Sequence, residues 1–546
     1  MVTLSSRLCS LAALAGNLFP RIAAQSGGIQ TGLSYGSNWV PVTKDSELVA
    51  QNFPDVDIEL LSPAFLNPER RESGFANGTS GPTSLTVMDN FLRVLADRNE
   101  WMTYESVDFL SEEGRNFPYI YLSLPSPSNE PKLRVYMQAA IHGNEPSADE
   151  AGLAFLGKMD ANQTWARSVL EKIDIRMLPR YNVDGVAYFQ RQLANNLDPN
   201  REHIKLMKQQ SRDIKRRLTS FDPHIAIDLH EYTAPSVFGG VYQHGSDALL
   251  SGGINPNIHP AIRSEVLDKF IPAMGEALES HGLRWEHYVT GTTNTTRGSA
   301  IRLEQAVTEA RTGRNAAGLG QTISFLLETR GIRLADQHFQ RRVATQLVKI
   351  EAILNMARDR SEEVYKAVED ARAEFVNGDD DIVVTDYFVP ENRTFTFIDR
   401  DNGSVVKAPV QWQRTTPSVA NLTRARPEAY IIPRTWYEVA ERLEILGLEV
   451  ERLGYTFNQT VEALNVTSSS LARTLYEGHV LNTVTTGTYK RDVILPVGSF
   501  KVSTRQKNAA LAFIALEPEN IDSYVTFNII PLKVGEEYPI FRIPRA

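Results

Sequence analysis

The chain has 546 residues, 42% of them apolar and 23% charged, and a formal net charge of −9. That length exceeds one ordinary hydrophobic core, so two or three domains are expected. The acidic balance excludes a basic surface for nucleic acid or for an anionic membrane.

Residues 1–25 read as a secretory signal. Arg7 precedes a mostly apolar stretch over 8–19, and Ala23-Ala24-Gln25 supplies small residues for cleavage. Asn17 and Pro20 interrupt the stretch, which is too short for a membrane anchor. Cleavage removes Cys9, the only cysteine, and with it any thiolate ligand, cysteine nucleophile or disulfide. Eight Asn-x-Ser/Thr sites, at Asn77, Asn162, Asn294, Asn392, Asn402, Asn421, Asn458 and Asn465, agree with a secreted, N-glycosylated product.

Residues 26–84 are rich in Gly, Ser, Asn and Pro and read as a loop-rich N-terminal extension. Arg70-Arg71 is the dibasic site at which a pro-segment would be removed. From 85 the pattern turns regular, with a helix over 88–98 and strands over 119–124 and 133–141. A helix over 147–159 follows, with Pro146 near its start, where a missing N–H costs least. A strand over 173–178 leads to the turn Asn182-Val183-Asp184-Gly185. In 338–375, Phe339, Val343, Leu347, Ile350 and Leu354 recur at helical spacing and predict one long helix closing a domain over 85–376. Asn377-Gly378-Asp379-Asp380-Asp381 breaks that pattern and marks a boundary. Its acidic triplet reads as a solvated linker more readily than as a calcium site. Strands over 382–389, 394–398, 493–502, 511–516 and 524–530, with a helix over 436–453, predict a β-rich domain over 382–546 that shapes the cleft. Only scattered Trp and Tyr hint at carbohydrate binding there.

Three short pieces carry the chemistry: His142-Gly143-Asn144-Glu145, His230 and Glu328. Each follows an apolar, partly β-branched run, the last two after Ile225-Ala226-Ile227-Asp228-Leu229 and Ile323-Ser324-Phe325-Leu326-Leu327. Buried strands that end in polar residues line those residues along one edge of a parallel sheet, where α/β proteins bind ligands. Two histidines and a carboxylate with an open fourth position make the ligand set of a catalytic zinc. Singly, each has a plainer reading: a surface pair, a satisfied core histidine, a strand-end carboxylate. Together they read as one site. Glu309, Arg311 and Arg314 read as polar loop residues, and Glu231 and Tyr232 as lining of the cleft.

The ordered set His142-x-x-Glu145, Asp198-Pro199-Asn200-Arg201, His230 and Glu328 resembles the zinc carboxypeptidase, or metallocarboxypeptidase, family over roughly residues 85–360. The turn 182–185 sits where that family usually carries Asn-Pro-Asp-Gly. The resemblance implies an α/β fold, a mixed but mainly parallel sheet flanked by helices, to which the β-rich C-terminal domain is an addition. It implies one zinc ion held by His142, Glu145 and His230, with Glu328 as general base and acid. It also implies that Asp198 is bonded to a ligand histidine, that Asn200 and Arg201 grip the substrate's terminal carboxylate, and that Arg191 stabilises the oxyanion.

Digestive members of the family cap that carboxylate with a tyrosine on a mobile loop. Here 311–321 has none, and Tyr288 is the nearest upstream. His-Gly-Asn-Glu is also the form found in relatives that deacylate N-acyl amino acids. The expected activity is therefore removal of C-terminal residues from peptides. The alternatives are a zinc amide hydrolase acting on N-acyl amino acids and an inactive binding protein, the latter opposed by the intact set of four residues.

Overall fold

At the centre of the molecule an eight-stranded sheet runs in the order Met102–Glu105, Tyr119–Leu122, Ile173–Leu178, Leu133–Ala139, Ile225–Thr233, Ile323–Ile332, Ala248–Gly252 and Trp285–His287. The structure is a computed structural model describing residues 35–36, 38–127 and 130–545. The expected signal over 1–25, Cys9 included, lies outside the described residues. The four central strands are mutually parallel, while the first two strands and Ala248–Gly252 join antiparallel. This is the mixed α/β sheet with a parallel centre that the family resemblance implies.

The central strands are largely buried on both faces because helices cover them, one face apolar and the other also carrying buried polar residues such as Gln138, Asp228 and Ser324. Leu133, Val135, Met137, Ile225, Ile227, Phe325 and Leu327 are all buried. Pro146–Ala161 and Phe339–Asp359 pack together over the sheet. The apolar segment expected as one helix is two: Arg360 leaves helical geometry and Ser361–Asn377 begins anew.

The described residues form one compact unit. The strand Ile382–Asp399, which follows the expected boundary, pairs with Tyr242–His244, and Val405–Arg424 pairs with Arg302–Gln305. A five-stranded sheet thus combines both sides of that boundary. Asp379 of the acidic triplet pairs with Arg505 at 3.3 Å. The six-stranded sheet further on includes the long hairpin Phe457–Tyr476 and His479–Leu495. Its Tyr430, together with Tyr538 from the chain before the last strand, shares a buried cluster with Leu354 and Val368 of the helical layer.

Two predicted strands are not strands. Residues 509–516 form the helix Ala509–Leu516, buried on every side, and 524–530 form turns. An apolar run buried all round carries no periodicity to distinguish the two structures, and its four alanines favour a helix. Among the described residues, the extension before 85 holds short helices and irregular chain. It is tied down by Asp45, which accepts from both Nη atoms of Arg330 at 2.6 and 2.8 Å. No helix among the described residues is long and apolar enough to cross a membrane.

Candidate active site

His142 follows Leu133–Ala139 through a sharp turn. Ala140 takes φ +51°, and Gly143 lies so close to the 182–185 turn that a Cβ would sit 2.1 Å from the Gly185 carbonyl carbon. Only glycine permits that approach. Glu145 then occupies the residue before Pro146–Ala161 but makes no capping bond, because its carboxylate is turned to the histidines. His230 and Glu328 lie within Ile225–Thr233 and Ile323–Ile332 rather than past their ends, and they are register partners on adjacent parallel strands. All four are buried: His142 is 2%, Glu145 1%, His230 1% and Glu328 6% exposed.

The donor atoms converge. His142 Nδ1 lies 2.6 Å from Glu145 Oε1, and His230 Nδ1 lies 3.1 Å from Glu145 Oε2. One ligand atom from each of the three residues falls within 4.8 Å of the others. The far nitrogens face carboxylates. His142 Nε2 is 3.1 Å from Asp198 Oδ1, and His230 Nε2 is 3.0 Å from Asp228 Oδ2. The hydrogen bond from Asp198 holds a proton on His142 Nε2 and turns its Nδ1 lone pair to the centre, while the nearby negative charge of Asp228 favours the same tautomer of His230. Two such lone pairs and an ionised carboxylate aimed at one point suit a cation. Burial works against ionising Glu145, yet the two histidines outweigh it and hold the carboxyl below its ordinary range.

Asp198 joins the centre to its surroundings. It accepts from Arg191 Nη2 at 2.9 Å and from the Asn200 amide at 2.8 Å, while its own amide donates to Glu477 Oε2 at 2.8 Å. Burial opposes its ionisation too, but Arg191 and His142 hold it well below the carboxylate range. Arg191, half-buried, reaches to 3.5 Å from Glu145 Oε1. Asn200 Oδ1 accepts from the Gly313 amide at 2.8 Å, which leaves its Nδ2 as a donor. Arg201 Nη1 donates to the Asn200 carbonyl at 2.8 Å.

Glu328 Oε2 has no hydrogen-bond partner, and burial pushes this carboxyl up, to about 7. Beneath it Lys349 Nζ donates to the Glu328 carbonyl at 2.9 Å. Gln346 Nε2 donates to the carbonyls of His230 and Leu327. These two residues of Phe339–Asp359 fix both strands from below, and no local sequence signal marks them. Asp228 was legible in principle, because residues two apart on a strand share a face. The same rule corrects Glu231, which lies on the opposite face in a paired contact with Arg342 at 2.8 and 2.9 Å. Tyr232 does not line the cleft for a different reason: it packs in a buried hydrophobic cluster with Phe238 and Trp412.

Residues 88–224 match the family model described as zinc carboxypeptidase. The curated carboxypeptidase 2 of Trichophyton equinum is 48% identical over 518 residues, which is 94% of this chain and 96% of that protein. The chain belongs to the zinc carboxypeptidase family. Carboxypeptidase 2 of Trichophyton rubrum is likewise 48% identical over 94% of this chain and 96% of its own. Among solved structures, a metallo-carboxypeptidase from Burkholderia cenocepacia aligns with a TM-score of 0.37 at 15% identity, covering 50% of this chain and 70% of its own. As a zinc carboxypeptidase family member the chain is a zinc metallohydrolase, and the group of His142, Glu145 and His230 suits the family's metal.

Proposed function

We propose that this chain is a secreted zinc carboxypeptidase that removes residues one at a time from the C-termini of peptides. The convergence of His142, Glu145 and His230, with the unpartnered Glu328 carboxylate in register beside His230, carries the reading. The name carboxypeptidase borne by relatives across nearly the whole chain supports it.

His142, Glu145 and His230 hold the zinc in this reading. Zinc supplies Lewis acidity there, bringing the pKa of a water to about 7 and polarising a carbonyl. Glu328 takes the attacking water's proton at Oε2 and returns it to the leaving amine. Asp198 and Asp228 keep the ligand histidines in one tautomer. Arg191, pinned by Asp198 and close to Glu145, offers its guanidinium to the oxygen on which negative charge develops. Arg201, with Asn200 as its chain neighbour, docks the terminal carboxylate, a task suited to a planar guanidinium fork. Of the eight glycosylation sites, seven are exposed and Asn465 is half-buried, which is compatible with a secretory route.

Peptides offered in pairs, with a free or an amidated C-terminus, test this reading by mass spectrometry. Stepwise loss of single residues from the free member alone is expected. Internal cleavage, or equal turnover of both members, contradicts it.

A further inference from the structure

The hairpin of Phe457–Tyr476 and His479–Leu495 turns on two residues, Glu477 and Gly478, because Tyr476 and His479 are register partners. Both turn residues take positive φ, +47° and +80°, as the two-residue turn that matches strand twist requires. Glycine accepts that geometry freely, and asparagine or aspartate tolerates it. Glutamate has no such tolerance, so the backbone at 477 is strained. The arm behind the turn is exposed over 470–475, whereas Tyr476, Glu477 and His479 are half-buried.

Contacts on both sides fix this tip. The Arg311 guanidinium lies over the Tyr476 ring at 4.9 Å, and the His479 ring meets that of Phe527 at 5.8 Å. Arg311, read from sequence as a polar loop residue, is 1% exposed and donates to the Ile521 carbonyl at 2.9 Å. It stands two residues before Gly313, whose amide Asn200 Oδ1 holds. From the anchored tip the Glu477 carboxylate reaches the Asp198 amide at 2.8 Å, and it is the only acceptor of that amide among the described residues.

Asp198 carries several contacts at once. Its Oδ1 faces His142 Nε2, and its carbonyl accepts from the Arg201 amide at 3.0 Å. A shift of its backbone would therefore move the carboxylate that orients His142. A strained turn residue is accounted for when its side chain does what a relaxed one cannot. Aspartate would ease the turn at 477 but is one methylene short of the amide. We propose that Glu477 is a positioning residue of the metal centre: its bond to the Asp198 amide sets the carboxylate that orients His142, so the C-terminal hairpin completes the zinc site across 279 residues of chain. The inference rests on the assignment of zinc to His142 in the reading above.

The test measures zinc affinity by chelator competition on the full chain, with kcat/KM on a peptide with a free C-terminus as a companion. Glu477→Gly and Glu477→Asp ease the turn and break the bond, while Glu477→Gln keeps an acceptor at the same reach. The Gly and Asp variants are expected to bind zinc about 10-fold more weakly and to lose kcat/KM, and the Gln variant to behave as wild type. Melting at saturating zinc checks the fold, which relief of the turn helps to preserve. A folded Gly or Asp variant that binds zinc as tightly as wild type overturns the inference, as does a Gln variant as weak as the Gly one. Variants that lose zinc only because they unfold give the contact a purely structural role and overturn it too. A zinc-binding wild type that hydrolyses no peptide contradicts the carboxypeptidase reading and leaves this test standing. A wild type that binds no zinc removes both.

Discussion

Glu328 stands in register with His230 on the neighbouring parallel strand. The hydrogen-bond ladder of the sheet, rather than a flexible loop, therefore sets the proposed base beside the group of His142, Glu145 and His230. Register partners on adjacent strands project from the same face about 5 Å apart. Such a base contributes to turnover without contributing to metal binding. Glu328→Gln is expected to lower kcat by about 10³-fold while the purified protein still carries one zinc per chain by elemental analysis. Loss of the metal, or retention of full activity, contradicts the assigned role.

Asp228 makes the opposite prediction. Its carboxylate lies 3.0 Å from His230 Nε2 and outside the proposed ligand set. Asp228→Asn removes the charge that holds the histidine's tautomer, so zinc affinity should fall about 10–100-fold in a chelator competition. Unchanged affinity in Asp228→Asn excludes that role.

The docking assignment separates substrates by their termini. Arg201→Ala should raise KM about 10–100-fold for peptides with a free terminal carboxylate, the loss of one charge-assisted hydrogen-bonded contact. Amidated analogues, poor to begin with, should change little. An equal loss on both classes points to a structural role for Arg201.

A pH-dependent contribution to stability comes from Asp45. Burial pushes its carboxyl up, but the His338 ring 3.3 Å away and the paired bonds and charge of Arg330 outweigh burial and hold it at about 2 against an ordinary 3.8. A folded-state pKa below the unfolded value stabilises above the unfolded value, and that stabilisation is lost as pH falls through the folded one. Asp45→Asn should therefore cost about 2 kcal/mol in urea unfolding at pH 7, with the difference from wild type narrowing as pH drops from about 4 toward 2. A pH-independent difference would show that the ion pair is not its source.

Much of the site was legible because its residues come in an unusual order after runs that have to be buried strands. His142, Glu145, His230 and Glu328 converge where buried parallel strands bring them, and Asp198 meets His142. What escaped sequence reading depends on pairing between distant segments. Lys349 and Gln346 reach the two strands from a helix whose own pattern records only its apolar stripe. Glu477 looks like any turn glutamate until its bond to the Asp198 amide is seen. Strand alternation, applied residue by residue, separates Asp228 and His230 from Glu231. Longer reach fails for the same reason: nothing local in Ile382–Asp399 says that it pairs with Tyr242–His244.

The most direct test of the central claim is a time course on a single peptide with a free C-terminus, followed by mass spectrometry with zinc present, removed by a chelator, and restored. The account predicts release of one residue at a time, arrest on chelation, and recovery when zinc returns. Cleavage that continues through complete zinc removal, or a zinc-loaded protein that leaves every free-terminus peptide intact, would contradict it.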